Sequence, residues 1–175
     1  FDTIRGTTAK PSKITEDNGT LLSEVHTIVY FRKIGKDWKI VSDKVNYERS
    51  ILRYGSAKTV EVSFSTPEQV RASEMYSAKL AVEVPVGSFA VASIVQEPLV
   101  LPEIPHKEIF KNVEQVGGEL ERVFIANDTN NNEIVTATVG ITELTEDNQA
   151  RPLVELKGIY IVTSRVNIIP QSAFD

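Results

Sequence analysis

His26 and His106 are the two side chains of this sequence that ordinarily titrate near neutrality, so a general base would be sought there first. Cysteine is absent, which removes thiol catalysis, disulfides and zinc-thiolate sites together. His26 lies inside the apolar run LLSEVHTIVYFRKI, a setting that suits a satisfied core or interface histidine. His106 stands beside Lys107 and Glu108 in the first turn of an expected helix. No G-x-S-x-G surrounds a serine, because Val86-Gly87-Ser88-Phe89 lacks the second glycine and the strand-to-helix setting. No glycine pattern cradles a phosphate, and no pair of histidines has metal-ligand spacing. Carboxylates are plentiful, yet they fall in loops and on the expected helix, where burial does not raise a pKa. The sequence offers no catalytic residue and implies no cofactor.

One loop carries ligand-type spacing. In NDTNNNE, Asp128, Asn130 and Asn132 match the D-x-N-x-N opening of a calcium loop and are the candidate metal ligands. The match stops there: Glu133 stands where the loop needs glycine, and Val139 where it needs glutamate. A polar hairpin turn, in which asparagine accepts left-handed geometry, accounts for the same residues. Asn127-Asp128-Thr129 also has the glycosylation pattern.

Charge provides the third candidate. FRKIGKDWKIVSDKVNYERSILR, residues 31–53, holds seven Lys or Arg against three Asp or Glu, in a chain of net charge −5. Residues 97–147 carry the opposite excess, eleven acids against three bases. Alternation places Tyr47, Arg49, Ile51 and Arg53 on one strand face, with Lys33 and Lys39 on or near the preceding hairpin. Guanidinium forks match phosphate oxygens and a tyrosine ring stacks on a base, so Lys33, Lys39, Tyr47, Arg49 and Arg53 form a candidate nucleic-acid surface. The competing reading is a solvated hairpin in which Tyr47 and Ile51 cover a core edge and the charges reach water. Segregated charge also suits head-to-tail self-association between unlike patches.

The elements that must position these groups are mostly strands. Residues 1–20 read as a polar, turn-rich arm carrying Arg5, Lys10 and Lys13, and residues 21–175 as a single β-rich domain. Period-two runs recur through LLSEVHTIVYFRKI, VNYERSILRY, KTVEVSF, YSAKLAVEVPV, SFAVASIVQEPLVL, ELERVFIA, EIVTATVGITEL and LVELKGIYIVTSRVNII. Ile109, Phe110, Val113 and Val116 have helical spacing between Pro105 and Gly117-Gly118, which predicts one clear helix near 106–116. Thr66 and Pro67 allow a short helix near 67–73. The fold class expected is mainly β, an antiparallel sheet of about eight or nine strands with that helix inserted. No apolar run approaches the ~20 residues that span a bilayer as a helix, so no membrane partner is expected.

KTVEVSFSTPEQVRASEMYSAKLAVEVP followed by EPLVLPEIPHKEIFKNVEQVGGEL, about residues 58–118, resembles in layout the coat proteins of single-stranded RNA bacteriophages. The resemblance implies an antiparallel sheet that pairs into dimers and tiles a capsid. It also implies Lys79 and Gln96 as sheet side chains facing packaged RNA. The chain departs from that family where three strand-like runs follow Gly118. The expectation drawn is a non-enzymatic structural subunit, a homo-oligomer (dimer or larger) that acts by self-assembly in a virion and allows packaged nucleic acid. The alternative is a ligand-binding or adhesive β-sandwich module of a surface protein, extracellular or at the cell surface.

Overall fold

The computed structural model describes residues 19–99, 111–113, 118–129, 131–146 and 152–171. The expected arm, residues 1–20, lies outside these residues except for Gly19 and Thr20. Thr20 already pairs with Arg53. In chain order the strands are β1 (Thr20–Ile34), β2 (Asp37–Gly55), β3 (Val62–Ser65), β4 (Gln69–Arg71) and β5 (Met75–Val82). There follow β6 (Ser88–Pro98), β7 (Lys111–Val113), β8 (Gly118–Ile125), β9 (Glu133–Glu146) and β10 (Pro152–Ile169).

Period-two sequence makes the sandwich. In β5, Tyr76, Ala78, Leu80 and Val82 are buried while Met75 and Lys79 face water. In β9, Glu133, Val135, Ala137, Val139 and Ile141 point inward in the same alternation. The large sheet has the order β1-β2-β10-β9-β6-β7, with β4 added parallel to the end of β10. The small sheet, β3-β5-β8, lays its apolar face on it, and the two faces share one core. Fully burying a residue such as Leu80 or Ile94 is worth about 1.5–3 kcal/mol. Such rows, summed, hold the two sheets together.

The helix expected near 106–116 is overturned. Lys111–Val113 is β7, paired antiparallel with Ala90–Ala92 of β6. Residues 106–110 and 114–116 lie outside the described residues. Helical spacing of apolar residues lost here to an open sheet edge, whose unpaired backbone groups bond any extended segment that reaches them.

The short helix near 67–73 is likewise replaced by a strand. Val70 is buried between exposed Gln69 and Arg71, a period of two, and β4 runs beside Asn167–Ile169. No α-helix occurs among the described residues. The two short strands take the place of the two expected helices; the other eight fall on the period-two runs, with the hairpin return at Trp38–Val41 and the run VNYERSILRY joined in the single strand β2.

β2 is much longer than its place in the sandwich. Only Arg49–Gly55 pairs with β10, so the earlier part of β2 has its strand ladder with β1 alone, joined to β10 by side-chain bonds from Asn167 to the Asn46 carbonyl and from Arg165 to Glu48. Two bulges, at Val41 and Asn46, interrupt the register of that hairpin. At the opposite end of the sheet, β9 and β10 run past the last β6 pair, Ser88–Glu143, and past Gly55–Gly158. β2 and β10 are antiparallel, so these two hairpins project from opposite ends of one sheet.

Candidate functional site

The fold divides the basic stretch in two. Arg49, Ile51 and Arg53 share the face of β2 that looks toward the core, opposite Ser164, Val162 and Tyr160 of β10. Ile51 packs against the core cluster. The Arg53 guanidinium stands over the Tyr160 ring at 5.2 Å, and Arg49 Nη2 donates to the Phe64 carbonyl of β3 at 3.1 Å. Tyr47 is tilted against the His26 ring, centroids 5.1 Å apart, and His26 in turn bonds the Glu24 carboxylate at 2.9 Å. Tyr47, Arg49 and Arg53 thus occupy one face, as alternation requires, and that face joins β2 to the rest of the sandwich.

Lys33 and Lys39 lie elsewhere, on the projecting hairpin. From Arg32 through Lys44 every residue is exposed, including Trp38 at 66% and Ile40 at 65%. Cross-strand pairs fix its two faces. Lys33 opposes Trp38 and Phe31 opposes Ile40, so these four share one face, three of them apolar, while Ile34 opposes Asp37 on the other. Arg32 opposes Lys39 on that second face. Arg32, Lys33, Lys36, Lys39 and Lys44 stand against Asp37 and Asp43, a balance of +3. None of the five bases forms an ion pair among the described residues.

The β9–β10 hairpin is built the same way with the opposite sign. Leu144 opposes Val154, and Leu156 follows two residues on, so these exposed side chains share a face. Glu143 opposes Glu155 on the other face. Lys157 bonds Glu155 at 2.7 Å, which raises the lysine pKa. Glu143, Glu146 and Glu155 outnumber Lys157, leaving a balance of −2.

Lys79 and Gln96, implied by the resemblance, do not join either group. Lys79 lies on the outer face of the small sheet, within 3.9 Å of Glu119 and 3.7 Å of Glu121 of β8. Gln96 Nε2 donates to the Ile125 carbonyl at 2.9 Å, tying β6 to β8.

The loop that offered metal spacing is organised by another residue. Asn127 Oδ1 accepts from the Thr129 and Asn131 backbone amides, and Asn127 Nδ2 donates to the Asn131 carbonyl and to Glu133 Oε1. Asp128 is exposed. Asn132 Oδ1 accepts from the Ile168 backbone amide at 3.0 Å, where β10 passes the loop, and Asn130 lies outside the described residues. Glu133, only 1% exposed, also accepts from the Tyr76 hydroxyl at 2.7 Å. Burial first, then the bond to Glu133 and its charge, pushes the Tyr76 pKa far above the ordinary tyrosine range. No group of three or more His, Cys, Asp or Glu side chains placed to hold a metal occurs among the described residues.

Two open clefts flank these features. One of about 430 Å³ lies between Arg53, Lys58 and the β3–β5 edge, and one of about 420 Å³ lies at the root of the β1–β2 hairpin beside Asp43, Asn132 and Arg165. His106 lies outside the described residues. Among the described residues no helix is long and apolar enough to cross a membrane.

No family model, curated protein or solved structure matches this chain. Its residues must therefore carry the functional argument. The sequence reading gave no structural part to Asn127 or Glu133 and did not single out Leu144 or Val154. Glu133 had a signal, because it begins the alternation E-x-V-x-A-x-V-x-I on the side that is otherwise apolar. Leu144 and Val154 had none, since an apolar strand end reads the same whether it is covered or bare.

Proposed function

We propose that this chain is a non-enzymatic structural subunit that works by assembling with copies of itself, as a viral coat or other virion protein does. The observation that carries this reading is the pair of sheet extensions with bare apolar faces. A two-stranded hairpin alone is marginally stable in water, and a soluble monomer rarely leaves Trp, Ile and Leu side chains clustered in the open. Both facts are accounted for when neighbouring subunits cover the hairpins. The long outer edge of β1, to which no other described strand is hydrogen-bonded, offers a further line of backbone groups for a neighbour. The basic hairpin can also contact packaged nucleic acid, its exposed lysines meeting phosphates without base specificity.

A second reading has one observation in its favour. The Asn127-braced loop sits at a sandwich end, where adhesive and ligand-binding β-sandwich modules of surface proteins present their contacts.

Light scattering behind size exclusion, with absorbance at 260 and 280 nm, tests the proposal. Particles much heavier than 19.4 kDa support self-assembly, and excess absorbance at 260 nm adds nucleic acid to it. A monomer at every concentration and salt condition favours the adhesive module instead.

A further inference from the structure

We infer that the subunits join head to tail, the basic β1–β2 hairpin of one copy seating on the acidic β9–β10 hairpin of the next; this rests on the self-assembly reading. The two hairpins are matched in two respects. Each presents an apolar face, Phe31, Trp38 and Ile40 on one and Leu144, Val154 and Leu156 on the other. Each carries net charge of opposite sign to its counterpart.

The like-charge pairs Arg32–Lys39 and Glu143–Glu155 lie on the faces opposite the apolar ones, and Lys157 already bonds Glu155, so net charge is what the contact matches. Bringing the two hairpins together sets a region of net charge +3 against one of −2. Burying the apolar faces at the same time supplies the non-directional part of the attraction. Since the hairpins leave opposite ends of the sheet, one subunit uses both without overlap. Such a contact is heterologous: it repeats from copy to copy and yields a filament, or a ring or shell where the rotation closes.

Complementary charge reversal tests this on the full chain. One variant carries Arg32→Glu, Lys36→Glu and Lys39→Glu, and the other Glu143→Lys, Glu146→Lys and Glu155→Lys. Circular dichroism first establishes that each is folded. Each variant alone should remain at the single-chain mass of 19.4 kDa under conditions where the natural chain assembles. An equimolar mixture should assemble again, because every hairpin then meets a partner of opposite sign. Trp38→Ala, which leaves the charges intact, should raise the concentration needed for assembly about tenfold.

Assembly of either charge variant alone at the natural concentration overturns the head-to-tail contact while leaving self-assembly standing. So does a mixture of two folded variants that stays dispersed. A natural chain that never assembles removes the self-assembly reading and this inference together.

Discussion

The Tyr76 hydroxyl donates to the Glu133 carboxylate across 2.7 Å of the sandwich interior, joining the small sheet to the large one through the only carboxylate among the buried described residues. A buried carboxylate needs its donors, and Asn127 supplies the rest. Tyr76→Phe should therefore cost about 1.5–3 kcal/mol at neutral pH, the usual worth of a hydrogen bond to a charged group. The pH dependence has a definite sign. The folded state keeps the phenolic proton that the unfolded chain releases above about pH 10, so this stability is full below pH 10 and is lost as pH rises beyond it. Urea titrations at increasing alkaline pH should show a loss for the natural chain that is steeper than for Tyr76→Phe by up to about 1.4 kcal/mol per pH unit. Parallel losses in the two proteins would refute the assignment.

Asn127 makes a sharper test of the loop. Asn127→Ala removes the side-chain bonds to Thr129, Asn131 and Glu133 while leaving the Asn127 backbone amide on Glu133, and should cost about 2–3 kcal/mol. Asn127→Asp keeps the acceptor atom but sets a second carboxylate where Nδ2 stood, 2.7 Å from Glu133 Oε1. Two carboxylates so placed cannot both ionise cheaply, so one takes a raised pKa. Asn127→Asp should consequently be less stable than Asn127→Ala at pH 7 and should recover toward it as pH falls to about 5. Denaturant unfolding at the two pH values reads the difference. An aspartate variant that tolerates pH 7 as well as alanine does would mean that Glu133 is not held there.

Gly55 ends β2 with φ +58 and ψ −138, a region open to glycine and little else. A Cβ at this position would stand 2.1 Å from the Lys157 carbonyl oxygen, within the bulge that lets β10 pass the 3-10 turn at Ser56–Lys58. Gly55→Ala should cost about 2–4 kcal/mol, from backbone strain and a clash that only backbone movement relieves. Gly35 is the control. It also has positive φ, +65, but nothing lies within 4 Å, so Gly35→Ala should cost only about 1–2 kcal/mol. Equal losses at the two glycines would show that the close approach at Lys157 is absent.

The strands were legible because burial on one side imposes a period of two, and β5 and β9 keep that period almost without exception. The helix was not, because Lys111–Val113 is decided by an available edge of β6 rather than by its own apolar spacing. The same limit applies to the candidate site. Alternation correctly placed Tyr47, Arg49 and Arg53 on one face, but it could not say that the face looks inward. That depends on where β10 stops pairing with β2, a property of the assembled sheet. The loop spacing at Asp128, Asn130 and Asn132 was visible, whereas the brace at Asn127 depends on the distant placement of Glu133 and β10.

The division of the basic stretch predicts opposite consequences for two superficially similar substitutions. Arg53 lies over the Tyr160 ring, and its Nε is buried with no hydrogen-bond partner, so its charge is fitted to an aromatic face inside the sandwich. Arg53→Glu replaces that attraction with repulsion at a half-buried position beside the open cleft and should cost about 1–2 kcal/mol. Lys39 is exposed and faces Arg32, so Lys39→Glu turns a like-charge pair into an opposite one. The isolated subunit should then be unchanged or up to about 1 kcal/mol more stable. Urea denaturation at a concentration too low for assembly separates the two. In assembly the order reverses: Lys39→Glu loses the attraction to the acidic hairpin, while Arg53→Glu affects association only through the fraction left folded. If Lys39→Glu destabilises the single chain as much as Arg53→Glu, the β1–β2 hairpin is packed against the subunit and is not a free projection.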